Sequence, residues 1–207
     1  MSELDRVAAQ QISLKSEFAR KITHLGALAL PASYYWLDLS KQEMLIIMIS
    51  AFILVLLADI SRLRNWIFWR KFANKIWAHM VREHENKGGF TGATYILLSI
   101  VLTVALFSKP VAVAAMAFIM VGDTFAALVG RRFGRHKIFK TKSLEGSLAC
   151  LTGTVIVALF TPDLLLTVGL TGALAAAVVE ALPLKIDDNL TVPLLSGATM
   201  AILLKFI

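Results

Sequence analysis

Four carboxylate side chains stand inside strongly apolar stretches of this chain, at Asp59, Asp123, Glu145 and Glu180. A charged side chain in such a place is costly, so its presence indicates a function. Two more carboxylates, at positions 187 and 188, follow in a short polar segment. Several carboxylates near basic residues are what a magnesium–nucleotide site requires, because Mg²⁺ prefers hard oxygen ligands and takes further oxygens from phosphate.

The apolar stretches that carry these acids have the composition of membrane spans. The chain is 57% hydrophobic and 17% charged, whereas soluble domains carry about 25% charged residues. The pattern predicts an all-α, polytopic integral membrane protein of about seven transmembrane helices, at residues 25–39, 44–59, 92–108, 110–130, 144–160, 164–182 and 192–207. Because the first and last stretches are shorter than the roughly 20 residues of a span and Pro31 interrupts the first, six is the alternative count.

The basic residues place the acids on one side of the membrane. Of the 21 Lys and Arg residues, all except Lys41, Lys109 and Lys205 lie before the first span or in the even-numbered connections. Such an asymmetry predicts that these segments are cytoplasmic. The four intramembrane acids then lie toward the cytoplasmic ends of their helices, with Asp123 the deepest, about seven residues or roughly 10 Å from the end.

The chain is expected to form a single membrane domain, 1–207, without a linker. Its cytoplasmic parts are predicted at 1–24, 61–91, 131–143 and 183–191. Aromatic and basic residues mix in the second of these, which predicts an amphipathic helix at the membrane surface. A plain anchor and an entry path for a lipid substrate are equally compatible with it. The basic residues are expected to face lipid and phosphate, and no nucleic-acid partner is expected.

Three of the predicted spans begin on the cytoplasmic side, after segments that contain Gly, Ser, Thr or Asn. Free N–H groups at helix starts bind phosphate readily, although Ser143 or Asn189 would serve equally as simple helix caps. The chain contains neither a GK[ST] phosphate-binding loop nor a protein-kinase signature. Small residues at 122, 126 and 130 share a helical face beside Asp123 and predict close helix packing.

The longest polar motif resembles the core of the CTP-dependent lipid kinases, a group that includes dolichol kinase, phytol kinase and the CTP-using diacylglycerol kinase of yeast. The motif is GDTFAALVGRRFGRHK at 122–137, followed by KSLEGS at 142–147. Further similar pieces are RKITH at 20–24, TGATY at 91–95, and Glu180 with DDNLTVP at 187–193. The resemblance extends over nearly the whole chain from residue 20 onward.

The resemblance implies specific roles for residues of these motifs. It implies Asp123, Glu145 and Lys142 as catalytic residues. It implies contact with CTP by Arg20, Lys21, Gly130, Arg131, Gly134, His136, Lys137, Ser143, Gly146 and Asn189. The preference of Mg²⁺ for carboxylate and phosphate oxygens adds the hypothesis that its ligands are among Asp123, Glu145, Glu180, Asp187 and Asp188.

The expected activity is phosphorylation of the hydroxyl of a membrane lipid alcohol by CTP, with diacylglycerol, polyprenol, dolichol and phytol all open as acceptors. The protein is expected in a membrane, the inner or plasma membrane in a prokaryote, with its active site on the cytoplasmic side. A phosphatidate cytidylyltransferase is the first alternative, but its Lys-rich Ser-Pro motif and late His-Gly-Gly signature are not visible here. A cation-coupled transporter is the second, although transporters place such acids nearer the membrane midplane.

Overall fold

The computed structural model describes residues 21–64, 89–139, 142–184 and 186–207. Seven helices are named within these ranges: α1 Ala29–Trp36, α2 Lys41–Leu63, α3 Gly92–Leu106, α4 Lys109–Phe133, α5 Leu144–Phe160, α6 Leu166–Ala181 and α7 Asp188–Leu203. The prediction of an all-helical chain is confirmed. Arg20 and most of the predicted amphipathic segment 61–91 lie outside the described residues.

The first predicted span, 25–39, is not one continuous helix. Residues 21–26 are helical, a turn follows at 27–28, and α1 then begins at Ala29. Pro31 falls in the first turn of α1, where a missing N–H does no harm because helix starts leave their N–H groups unbonded. Proline therefore starts a new short helix here instead of continuing a longer one.

Helix α4 forms the centre of the bundle. Ten consecutive residues, from Val111 to Met120, are buried, which a helix achieves only when neighbours cover it on all sides. Helices α5, α6 and α7 pack around it with α3, whereas α1 lies against α4 and α2 packs on α3. Helices α4 and α5 approach closely at Gly122, where an added Cβ would lie 2.9 Å from the sulfur of Cys150.

The outer surface of the bundle is apolar while charged groups lie inside it. On α2, Ile46 is 67% and Leu54 is 69% exposed. On α6, exposed residues follow every fourth position at Leu166, Leu170, Leu174 and Val178. This distribution is the inverse of a soluble protein's and suits contact with lipid.

Two helices in the described ranges, α2 and α4, are long and apolar enough to cross a membrane. Helices α3, α5 and α6 are apolar but shorter, with 15, 17 and 16 residues. The predicted count of seven spans is therefore not confirmed.

Candidate active site

The carboxylate of Asp123 is paired with two residues of the N-terminal helical segment. The ammonium of Lys21 contacts Asp123 Oδ2 and donates to the Asp123 carbonyl at 3.1 Å. The Nδ1 of His24 lies 3.7 Å from the same carboxylate oxygen. Lys21 and His24 are three positions apart, so they share one face of the helix. Both are buried, whereas the Asp123 side chain keeps 26% of its surface exposed, so a substrate can reach it.

A second group of charged side chains links the end of α6 and the start of α7 to the segment before α5. The Lys142 ammonium donates to the Glu180 carbonyl and lies 3.1 Å from Glu180 Oε1 and 2.9 Å from Asp188 Oδ2. Glu180 is 7% exposed, and an ionised carboxylate so deeply placed requires a partner of opposite charge. Lys142 supplies that charge across 38 residues of sequence.

The predicted CTP-contacting residues from 130 to 146 lie around the connection between α4 and α5, of which the structure describes 134–139 and 142–143. Backbone bonds close it, including Ile138 N to Lys142 O at 3.0 Å and Leu144 N to His136 O at 2.9 Å. Glu145 belongs to this turn, because its carboxylate accepts from the His136 backbone N at 3.1 Å and contacts His136 Nδ1 at 2.8 Å. Lys137 pairs with Ser143 through the backbone.

Three glycines and a serine bring the two helix ends of this turn together. A Cβ at Gly130 would lie 3.4 Å from the Gly146 Cα, and one at Gly134 would meet the Gly130 carbonyl at 2.0 Å. Ser143 caps α5 by accepting from Gly146 N at 3.2 Å. No side chain larger than hydrogen fits at Gly134 without moving the backbone. The backbone geometry of the turn therefore requires glycine there, whether or not the turn binds a ligand.

The cap at the start of α7 is Asp187 and not Asn189, the residue that the sequence offered as a cap. The Asp187 side chain accepts from the backbone N of Asn189 at 2.9 Å, which satisfies one of the unbonded groups of the helix start. The Asn189 side chain is buried. Arg131, by contrast, is exposed at the end of α4.

Asp59, the fourth intramembrane acid, occupies a separate and fully satisfied network. Its Oδ2 accepts from Thr91 N at 2.7 Å, Thr91 Oγ1 at 2.9 Å and Thr94 Oγ1 at 2.7 Å, while Oδ1 accepts from Arg62 Nε at 3.2 Å. Arg62 also donates to the Gly89 carbonyl at 2.6 Å. This network ties the end of α2 to the start of α3, so Asp59 holds structure together.

The environment around Lys142 affects the ammonium and its carboxylate partners differently. Burial by itself would lower the pKa of Lys142, but the hydrogen bond to Asp188 and the charges of Glu180 and Asp188 outweigh it and raise the pKa. For Asp188, which precedes the predicted span 192–207, burial is the largest influence and raises the pKa, Lys142 lowers it in part, and the charges of Asp123 and Asp187 add smaller increases. One ammonium is shared between two carboxylates here. Its positive charge is therefore well compensated, whereas the negative charge of each carboxylate is compensated only in part.

The five predicted Mg²⁺ ligands are not gathered into one cage. Within the part of the chain that the structure describes, no group of three or more His, Cys, Asp or Glu residues is arranged to hold a metal ion. Asp123 is held by Lys21, Glu180 and Asp188 by Lys142, and Glu145 by His136.

His24 is not among the site residues predicted above, although it lies in a motif that resembles the lipid kinases. Its place in RKITH, three positions after Lys21, was the available signal, because that spacing sets both side chains on one helical face. The structure brings both to Asp123.

The fold and the site together define an all-helical, membrane-type protein. In it Lys21 pairs with Asp123 of α4, and Lys142, before α5, pairs with acids at the end of α6 and the start of α7. No family model matches the chain, and no solved structure matches it. An uncharacterised protein of Rickettsia prowazekii is 28% identical over 188 residues, which cover 86% of this chain and 90% of that protein.

CTP-dependent diacylglycerol kinase 1 of Saccharomyces cerevisiae is 28% identical over 218 residues, covering 92% of this chain and 74% of the yeast enzyme. The chloroplastic farnesol kinase of Arabidopsis thaliana is 32% identical over 136 residues, covering 57% of this chain and 44% of the plant enzyme. These matches confirm the resemblance drawn from the motifs: the chain is similar to CTP-dependent diacylglycerol kinases and to farnesol and phytol kinases.

Proposed function

We propose that this chain phosphorylates the hydroxyl group of a membrane lipid alcohol, with CTP as the phosphoryl donor. The observation that carries the proposal is the similarity to CTP-dependent diacylglycerol kinases over more than 90% of this chain. The exposed carboxylate of Asp123, held between Lys21 and His24, adds a reactive group suited to that chemistry. The acceptor is a diacylglycerol or an isoprenoid alcohol, which are the substrates that the names of the relatives indicate.

In the proposed arrangement about seven helices cross the membrane and the site faces the cytoplasm. The distribution of Lys and Arg along the chain supports this orientation. It also suits the chemistry, because CTP is water-soluble and the acceptor hydroxyl lies at the lipid headgroup level. The polar site at the helix ends would let the two substrates meet at the membrane boundary.

In the proposed reaction the lipid hydroxyl oxygen attacks the γ-phosphorus of CTP. A bond forms between that oxygen and phosphorus, while the bond to the oxygen bridging the β- and γ-phosphates breaks and CDP leaves with that oxygen. The hydroxyl proton passes to the Asp123 carboxylate, which also orients the hydroxyl. Lys21 and Lys142 neutralise phosphate charge, since phosphoryl transfer depends mainly on positioning and electrostatic stabilisation.

The donor set fits a Mg²⁺ ion that is shared with the nucleotide better than one held by protein alone. Mg²⁺ in nucleotide sites takes one or two carboxylates and completes its shell with phosphate oxygens and water. Asp123, Glu180 and Asp188 supply such oxygens. When bound, the ion would neutralise charge on the β- and γ-phosphates.

The test is to incubate the purified protein with CTP and a panel of diacylglycerol, polyprenol, dolichol and phytol, with ATP in parallel. We expect CDP and a phosphorylated lipid from CTP. Release of pyrophosphate together with a CDP-lipid from phosphatidate would identify a cytidylyltransferase and refute the proposal. Absence of nucleotide turnover with every lipid of the panel would also refute it.

A further inference from the structure

Lys142 connects three parts of the site that are far apart in sequence. Its backbone carbonyl accepts from Ile138 N at 3.0 Å and from Phe139 N at 3.3 Å, so it closes the turn between α4 and α5. Its ammonium reaches the end of α6 at Glu180 and the start of α7 at Asp188. A change in the position of this ammonium is therefore coupled to the turn that contains predicted CTP-contacting residues.

The two carboxylates hold Lys142 in different ways. Glu180 supplies two contacts, from its carbonyl and its carboxylate, and its side chain is 9% exposed. Asp188 supplies one contact, and its side chain is 34% exposed. An ammonium has three hydrogens, and three oxygens lie around this one. Because the Asp188 carboxylate is more exposed than the Glu180 carboxylate, solvent-borne phosphate reaches Lys142 at the Asp188 contact.

We infer that Glu180 is a positioning residue that fixes the Lys142 ammonium for the nucleotide phosphates, and that Asp188 is the exchangeable partner which phosphate replaces. This inference rests on the proposed function, because it assumes that a nucleotide triphosphate is bound. An ammonium that is already fixed loses little conformational entropy when phosphate binds. Little of its attraction for phosphate is then offset, and the affinity for the nucleotide is higher.

The experiment measures CTP binding without catalysis, as the rise in unfolding midpoint of the detergent-solubilised protein with increasing CTP in the presence of EDTA. We expect Glu180→Gln and Lys142→Met each to weaken binding about 10-fold or more, the range of one charge-assisted hydrogen bond. The double variant should bind no more weakly than Lys142→Met alone, because Glu180 acts through Lys142. Asp188→Asn should bind CTP at least as tightly as the unchanged protein.

The matched control is Asp38→Asn, which removes the same charge from an Asp–Lys pair at the other end of α4, where Lys109 lies 2.7 Å from Asp38. Unfolding midpoints without nucleotide show whether each variant is folded, and Lys142→Arg preserves the charge if Lys142→Met does not fold. Equal weakening by Asp188→Asn and Glu180→Gln, additive effects of Glu180 and Lys142, or no CTP binding in EDTA would overturn the inference. CDP production by the unchanged protein with Mg²⁺ in any of those cases would leave the proposed function standing.

Discussion

Replacing Asp123 by Asn separates the catalytic role of this carboxylate from its part in holding Lys21. Lys21 is 5% exposed and donates both to the Asp123 carboxylate and to its carbonyl. The variant leaves a buried ammonium facing a neutral amide. Removing one partner of a fully buried pair costs about 3–5 kcal/mol. Because Asp123 is 26% exposed and the amide oxygen still accepts, we expect a smaller loss, about 1–3 kcal/mol.

The expected loss of activity is larger than this loss of stability would cause. A positioned general base contributes about 10²–10⁴-fold to the rate, so CDP formation should fall by at least about 100-fold while most of the protein stays folded. The assay is initial-rate CDP formation in mixed micelles, normalised to the folded fraction from thermal unfolding. Asp38→Asn, at the exposed ion pair with Lys109, is the control for loss of a carboxylate.

The double variant Lys21→Met with Asp123→Asn makes the test sharper. It removes the buried ammonium together with its partner, so it should recover much of the lost stability and none of the activity. Retention of activity within about threefold in Asp123→Asn would remove the catalytic carboxylate from the mechanism. Recovery of activity in the double variant would show that the uncompensated charge, and not the missing base, had caused the loss.

Three further predictions concern the elements that support the site. Asp59→Asn should lower the free energy of unfolding by about 3–5 kcal/mol, because it removes the negative charge that the buried Arg62 guanidinium and two threonine hydroxyls contact; a loss under about 1 kcal/mol in denaturant titration would contradict this. Gly122→Ala should destabilise by about 1–3 kcal/mol through overpacking, since the new Cβ would lie 2.9 Å from Cys150 Sγ. Adding Cys150→Ala should restore part of that loss, and equal stability of the single and double variants would argue against the contact. The stability cost of Lys142→Met should be constant between pH 6 and 9, because the folded state raises the pKa of Lys142. The contribution of Lys142 to stability is then fully present below the ordinary pKa of about 10.4. It is lost only as the pH rises through the folded-state pKa. A cost that declines within that range would show that Lys142 is not held as an ammonium.

The helical architecture was predictable because it depends on local properties of the chain. Helix α5, Leu144–Phe160, begins and ends at the residues that hydropathy predicts, and Ser143 caps it as a serine before an apolar run commonly does. The first span was harder, because a short apolar stretch with Pro31 is compatible with one interrupted helix or with two. Only packing against α4 selects the broken form with α1 at Ala29–Trp36.

By itself the sequence determined the all-helical class of fold and the similarity to lipid kinases, and it singled out Asp123 as a candidate site residue. Apolar blocks, basic connections and short motifs are carried by neighbouring residues, so they can be read without coordinates. The tertiary structure decided which charges meet. Lys21 reaches Asp123 over 102 residues, and Lys142 bridges Glu180 and Asp188, while Glu145 turns to His136.

The physical reason is the geometry of packed helices. Successive residues of an α-helix point about 100° apart, so a small change in helix rotation or crossing decides which buried carboxylate faces which lysine. The high cost of an unpaired buried charge then makes each pairing strict. The sequence shows that acids and lysines must be matched inside an apolar bundle, and the tertiary structure decides that they are matched as separate lysine–carboxylate groups and not as one cage of acids.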